Sequence, residues 1–141
     1  MLITLNPPDD QLVNLPVWLA LDRSSWKPQS ATASAGAVSV TATARPVKVV
    51  WSMGDGSSHT CDGPGTAWTR GTNPRASSPD CGHVYRHSSA GAAGGSYTVS
   101  ATVTWEVTWA GAGQTGTVPG LETTGQVQTR VQESQTVISR S

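Results

Sequence analysis

Apolar and polar side chains alternate at every residue over a long stretch in the second half of the chain. From residue 97 to residue 109, seven apolar side chains alternate with six polar ones. The apolar positions are Tyr97, Val99, Ala101, Val103, Trp105, Val107 and Trp109. Successive side chains of a β-strand point to opposite faces, so this period of two predicts a long strand with one buried face and excludes a helix.

Shorter runs of the same kind lie on both sides of this strand. The predicted strands are residues 12 to 21, 38 to 44, 47 to 53, 97 to 109, 114 to 118 and 124 to 137. Pro46 lacks a backbone N–H, so we expect it to end the strand that begins at residue 38. Pro16 suits an edge strand or a bulge better than a central strand. No segment carries the apolar stripe of a helix.

The segments between these strands indicate a single domain. Residues 1 to 11, with two prolines and two aspartates, predict a linker or a flexible N-terminus, and residues 12 to 138 form the domain. Residues 24 to 30 predict a polar turn, and residues 57 to 82 a long loop, because Gly, Pro, Ser and Asn are frequent there without any period. We therefore expect an all-β antiparallel sandwich of seven or eight strands.

The composition limits the partners that this domain can have. Nine basic and nine acidic side chains cancel, so no basic stripe is available for nucleic acid. No stretch approaches the roughly 20 apolar residues that span a bilayer, so we expect no membrane insertion by this segment. Phe is absent while six Trp are present, so the core must use Trp, Val and Ala.

Three short motifs, in order, resemble those of the PKD domain, an immunoglobulin-like β-sandwich of secreted and surface proteins. They are Trp51-Ser52-Met53-Gly54-Asp55-Gly56, His83-Val84-Tyr85 and Gly95-Ser96-Tyr97-Thr98-Val99. The resemblance covers residues 30 to 137 and departs from the family in the length of the crossing from residue 57 to residue 82. It implies an immunoglobulin-like sandwich in which the motif residues build the fold. These structural residues are Trp51, Gly54, Asp55, Gly56, His83, Tyr85 and Tyr97.

Two cysteines, Cys61 and Cys81, lie near the ends of the predicted loop. An even count in a Lys-poor, Thr-rich β chain favours a disulfide and an oxidising compartment. The alternative is a zinc site made of His59, Cys61, Cys81 and His83, since two thiolates and two imidazoles can bind zinc tetrahedrally. The one-residue gaps within each pair are shorter than those of common structural zinc sites, so the disulfide is the preferred interpretation and no cofactor is expected.

The sequence offers no constellation typical of an enzyme. It has no Gly-x-Ser-x-Gly elbow, phosphate-binding loop or His-Glu-x-x-His motif. We expect a non-catalytic, extracellular or cell-surface module, a spacer or adhesion domain, within a larger secreted or membrane-anchored protein. If it binds a protein or a carbohydrate, the expected surface is the loop from 57 to 82, with Trp68, Arg70 and Arg75. Otherwise Trp68 packs that loop onto a sheet.

Overall fold

Nine β-strands make up most of the described chain. The computed structural model describes residues 3–8, 10–69, 71–73 and 75–133. The strands are β1 (Ile3–Asn6), β2 (Asp10–Leu12), β3 (Pro16–Leu21), β4 (Gln29–Ala35), β5 (Val38–Ser52), β6 (Ser58–Cys61), β7 (Gly82–Val84), β8 (Tyr97–Gly111) and β9 (Gln114–Gln132). Three 3-10 segments occur at Arg23–Trp26, Ser89–Gly91 and Ala93–Gly95. The prediction of an all-β chain is confirmed, although nine strands replace the seven or eight expected.

The strands form two sheets. The smaller sheet has the order β1-β3-β7, and the larger has the order β2-β9-β8-β5-β4, with β6 also paired to β5. Every pairing between these strands is antiparallel except that of β2 with β9, which is parallel over three residues. The expectation of a wholly antiparallel arrangement is therefore wrong at this one pair. None of the described 3-10 segments has the length and apolarity that a bilayer crossing requires.

The hydrophobic core lies between the two sheets. Leu19 of β3, Val49 and Trp51 of β5, and Val99 and Val103 of β8 are completely buried. The odd-numbered residues of β8 are buried from Tyr97 as far as Trp105, as the alternation predicts. Beyond Trp105 the same face of β8 is only half-buried. The core therefore ends at Trp105 although the strand continues.

Two strands are longer than the sequence pattern predicts, because each continues through a proline. β5 runs past Pro46, and its register with β8 shifts between Pro46 and Lys48. Proline, which has no N–H, is tolerated at such a bulge. The extra residue in β5 lets the apolar side chains before and after the bulge lie on the same face of the sheet. The prediction that Pro46 ends the strand is wrong for this reason. β9 likewise continues through residues 119 and 120, where its register with β8 also shifts.

The N-terminal segment is part of the fold. Residues 1 to 11 were expected to be a linker, but β1 pairs with β3 over four residues and β2 pairs with β9. Leu5 and Gln11 are buried. Pro7 and Pro8 lie between β1 and β2, and this pair of prolines favoured the interpretation of a linker over two short strands. The last residues of the expected domain, 134 to 138, lie outside the described residues.

The larger sheet extends beyond the core as a four-stranded projection. We call this projection the paddle and define it as residues 29–44 and 105–121, which comprise β4, the first half of β5, the end of β8 and the start of β9. β4 is exposed at every position, so neither of its faces is covered by the smaller sheet. It begins inside the segment predicted as a polar turn, whose first part is instead the 3-10 segment at Arg23–Trp26.

The boundary between core and paddle predicts opposite outcomes for the same substitution at two leucines. Leu19→Ala should lower the free energy of unfolding by about 2–5 kcal/mol, because Leu19 is fully buried and its truncation leaves a cavity. Leu121→Ala should cost about 1 kcal/mol or less, because half of the Leu121 side chain is exposed. Urea unfolding of both variants measures the difference. Equal losses would contradict the placement of the core.

Candidate functional site

A covalent link joins the two sheets at one edge of the core. Cys61 ends β6, which pairs with β5 of the larger sheet, and Cys81 immediately precedes β7, which pairs with β3 of the smaller sheet. The two sulfurs are bonded at 2.02 Å, and the Cα atoms lie 5.9 Å apart. The predicted disulfide is therefore present. It connects two short strands whose only ladder partners in the described chain are β5 and β3.

Beside the disulfide, a chain of hydrogen bonds crosses between the same two strands. His59 of β6 and His83 of β7 approach through Nε2 and Nδ1 at 2.7 Å. The other ring nitrogen of His83, Nε2, lies 2.8 Å from Oδ2 of Asp55. Asp55 in turn accepts a hydrogen bond from the backbone N–H of Ser57 at 3.0 Å. We call Asp55, His59, Cys61, Cys81 and His83 the clasp, because together they hold β6 against β7.

The proton positions in the clasp follow from the chemistry of its groups. A carboxylate only accepts hydrogen bonds, so Nε2–H of His83 donates to Asp55. Nδ1 of neutral His83 then accepts a hydrogen bond from Nε2–H of His59. The centroids of the two imidazole rings are 4.9 Å apart. This distance is close to the separation of the two facing nitrogens plus the radius of each ring, as expected when the nitrogens point at each other. The rings therefore meet almost head-on, which suits a hydrogen bond and not two lone pairs converging on a metal ion.

Burial and neighbouring charges shift two pKa values in the clasp. Partial burial lowers the pKa of the His59 imidazole below its ordinary 6.5, the nearby His83 lowers it further, and Asp55 opposes both. Burial raises the pKa of the Asp55 carboxyl, but hydrogen bonds from Ser57 and His83 outweigh this. The net pKa of Asp55 lies below its ordinary 3.8. The fold thus favours neutral His59 and ionised Asp55.

The zinc alternative is incompatible with this geometry. Both thiols of the proposed set, Cys61 and Cys81, are consumed by the disulfide. The remaining two ligands, His59 and His83, use their facing nitrogens to bond each other. Across residues 3–8, 10–69, 71–73 and 75–133, no cluster of three or more His, Cys, Asp or Glu side chains is placed to hold a metal ion.

Ser57, His83 and Asp55 form a trio that differs from the Ser–His–Asp triad of hydrolases. In that triad the serine and the aspartate occupy opposite nitrogens of the histidine. Here Ser57 Oγ, at 3.4 Å, and Asp55 Oδ2 approach the same nitrogen, Nε2 of His83. The Ser57 hydroxyl donates to Asp55 instead. His83 is therefore not placed between Ser57 and Asp55 as the histidine of that triad is.

The motif residues hold the turn and the core together. Gly54 has φ of 83°, and a Cβ there would lie 2.7 Å from the carbonyl oxygen of Thr98, so only glycine fits against β8. The hydroxyl of buried Tyr85 donates to the carbonyl oxygen of Met53 at 2.8 Å. Tyr85 also stacks on Tyr97, with ring centroids 5.2 Å apart. Trp51 is fully buried.

Of the predicted binding residues in the long loop, the structure describes Trp68 and Arg75. Trp68 is half-buried and lines an apolar cleft of about 280 Å³ with Trp18 and the prolines Pro7, Pro8 and Pro16. The indole N–H of Trp18 donates to the carbonyl oxygen of Ala76, which ties the loop down further. Arg75 is exposed, and Arg70 lies outside the described residues. Trp68 therefore packs the loop onto the N-terminal segment.

An uncovered apolar surface lies on the paddle, on the side that continues the core face. Strand register places the following side chains on this apolar face: Ala31, Ala33, Ala35, Val38, Val40, Ala42, Ala44, Val107, Trp109, Val118 and Leu121. Val38, Val118 and Leu121 are about half exposed, at 49%, 52% and 50%. Soluble monomers rarely expose large contiguous apolar patches, so this surface is a candidate contact site.

Two features shape this apolar face. The indole of Trp109 lies over Gly116 of the neighbouring strand, where an added Cβ would come within 2.4 Å of the ring. At the base of the paddle, Trp105, Ala44 and Leu121 help to line an open cleft of about 510 Å³. The strands predicted from the sequence did not include β4. The signal that could have revealed β4 is the Ser-Ala-Thr-Ala-Ser-Ala alternation of residues 30–35.

Comparison with models of known protein families, with curated proteins and with solved structures found no match to this chain.

The disulfide of the clasp predicts a loss of stability when it is removed. Replacing Cys61 and Cys81 together with Ser should lower the free energy of unfolding by about 3 kcal/mol, because the bond closes a loop with a sequence separation of 20 residues. Urea unfolding of the variant and of the parent chain measures this loss, and reduction of the parent should reproduce it. A loss well below 1 kcal/mol would mean that the hydrogen bonds hold the two strands without the bond.

The clasp also predicts that stability falls on acidification in two windows. The pKa of His59 is lower in the fold than in the unfolded chain, so its contribution is complete above pH 6.5 and declines below it. The contribution of Asp55 is complete above pH 3.8 and is lost as the pH falls further. Urea unfolding from neutral to acidic pH should show both declines. His59→Gln removes the titrating imidazole but keeps a hydrogen-bond donor for His83, so it should flatten the decline in stability below pH 6.5. His87 is exposed, and His87→Gln should leave that decline unchanged.

Proposed function

We propose that this chain is a non-catalytic, extracytoplasmic structural and interaction module of a larger secreted or membrane-anchored protein. The observation that carries the proposal is the apolar face of the paddle. A spacer with no partner gains nothing from a sheet that extends beyond its core, exposes valine and leucine to water and leaves Trp109 only partly buried. A module that docks against another protein gains by burying that face.

The apolar face has the character of a protein contact surface. It combines aliphatic side chains with the aromatic anchor Trp109, and the charged residues Arg45 and Glu106 lie on the other side of the sheet or at its base. Interfaces are depleted of charge at their centre and enriched in aromatic side chains. A second β-sheet or a helix of the partner could pack on this face in the way the smaller sheet covers the core.

The clasp supports an extracytoplasmic location. Disulfides persist in oxidising compartments and are rare in cytosolic proteins. Here the bond adds a covalent link to two strands of only four and three residues. The fold is therefore built to depend on oxidation.

Two contacts support a relationship to PKD-like, immunoglobulin-like sandwiches. The Gly54-Asp55-Gly56 turn, His83 and Tyr85 meet through the Asp55–His83 hydrogen bond and the Tyr85–Met53 hydrogen bond. These contacts give each motif residue a structural role in the fold, and leave the function to the surfaces that the fold presents.

Recognition of a carbohydrate or protein through the loop from 57 to 82 is the weaker candidate. An exposed indole is the usual platform for a sugar ring, and Trp68 is half-buried against Trp18. The clasp side of the loop does offer an open cleft of about 430 Å³ lined by His59, His83 and Asp80. More polar than apolar groups line that cleft, so water is a more favourable occupant than a tightly bound ligand.

The proposed contact surface predicts that the native chain binds an apolar fluorescent dye through the paddle. Val40→Lys with Val118→Lys should abolish most of the binding of anilinonaphthalene sulfonate while leaving the melting temperature nearly unchanged, because both side chains are exposed on the apolar face. Thr41→Lys with Thr117→Lys places the same charges on the opposite face of the same strands and is the matched control. The loop variant Trp68→Ala should keep the dye binding.

Two results would contradict the proposal. Dye binding that is equal in both double variants would show that the apolar face is not the exposed contact surface. Turnover of a model ester, peptide or phosphate by the purified chain, lost in His83→Gln, would overturn its non-catalytic character.

A further inference from the structure

The outer edge of β4 is an exposed and unprotected sheet edge. β4 ends the larger sheet, so on the side away from β5 its backbone N–H and C=O groups face outward. Its seven residues are all exposed, include no charge and no proline, and pair with β5 without any register shift. A long, flat and uncharged edge of this kind is a template for another strand.

The other edges of the two sheets carry the features that block such pairing. β1, β2 and β7 have only four, three and three residues, and β2 begins with Asp10. β9 runs free of β2 over most of its length, but there it contains Pro119, Glu122 and a register shift. Short strands, prolines, charges and bulges are the usual protections of a sheet edge. β4 differs from these edges in lacking all of them.

The sequence of β4 is complementary to itself in an antiparallel register. In a twofold arrangement centred on Thr32, Ala31 of one copy faces Ala33 of the other, Ser30 faces Ser34, and the two Thr32 residues face each other. Alanines then meet on the apolar face and hydroxyl groups on the opposite face. Hydroxyl groups also face each other within the chain, where the side chain of Thr32 hydrogen-bonds that of Thr41 at 2.9 Å and the side chain of Ser34 hydrogen-bonds that of Ser39 at 2.9 Å.

We propose that two copies of this chain associate through antiparallel pairing of their β4 strands. The two larger sheets become one continuous sheet, and the apolar faces of the two paddles lie side by side on the same side of it. Pairing of β4 with β4 uses the same surface in both copies and therefore closes at two. Pairing of β4 with the free edge of β9 would instead leave one of each edge open and grow into a filament.

The size of the contact sets the strength expected. One pair of seven-residue strands buries less than a standard protein–protein interface. The dimer should therefore be weak and should dissociate on dilution, unless a partner that covers both paddles at once holds it together. This contact lies on the edge of the paddle, whereas the proposed function concerns its apolar face, so either can fail without the other.

Sedimentation equilibrium of the oxidised chain over a range of concentrations tests the association. We expect a monomer–dimer equilibrium without larger species. Thr32→Lys should weaken the dimer about fivefold, because the twofold arrangement brings two like charges directly opposite each other. Thr117→Lys places the same charge on the free edge of β9 and should leave the dimer unchanged. Dye binding to the monomeric Thr32→Lys variant reports separately on the apolar face.

Cysteine crosslinking identifies the surface. The described chain has no free thiol, so Thr32→Cys supplies the single reactive position. Under mild oxidation at high concentration it should form a covalent dimer, and Thr117→Cys should not. A chain that stays monomeric at millimolar concentration and fails to crosslink through residue 32 overturns the proposal. Larger assemblies that are lost in both lysine variants overturn it in favour of β4–β9 pairing.

Discussion

The pairing of β5 with β8 is the constraint on which the rest of the structure depends. Each strand has fifteen residues, and they pair along almost their whole length, with one bulge at Pro46. The three-stranded sheet that faces them is built of strands of three to six residues. A short sheet can cover only part of a long one. The covered part becomes the core and the uncovered part becomes the paddle, so one pair of strands forms both the buried core face and the exposed apolar face.

The clasp joins the two sheets at the end of β5 that lies away from the paddle. β6 and β7 are too short for their ladder hydrogen bonds and apolar contacts to hold them firmly, and they belong to different sheets. The Cys61–Cys81 bond supplies the link, and the hydrogen-bonded chain from His59 through His83 to Asp55 fixes the orientation beside it. Residue types that are common in catalytic sites thus form contacts between the two sheets here. This explains why a Ser, two His and an Asp can meet without the alignment that activates a nucleophile.

The paddle differs from the rest of the surface in two independent ways. Its face exposes aliphatic and aromatic side chains, and its outer strand lacks the charges, prolines and irregularities that protect the other edges. Exposed apolar area and an open backbone edge both lower the solubility of a domain that has no partner. Both features occur on the same projection, away from the clasp, and this is why we propose that association takes place at that end of the molecule.

The sequence by itself determined the class of the fold, because an alternation of two residues is compatible only with strands and the absence of a helical stripe leaves no other element to build a core. It also predicted the Cys61–Cys81 disulfide, which the structure contains, because the chain has an even number of cysteines. Only the tertiary structure decided that β5 continues past Pro46, that residues 3–6 and 10–12 are strands, and that His59 bonds His83. Those outcomes depend on partners distant in the chain. The same limit applies to the apolar side chains of the paddle: alternation reveals that one face of a strand is apolar, but whether another sheet covers that face depends on where the opposing strands end.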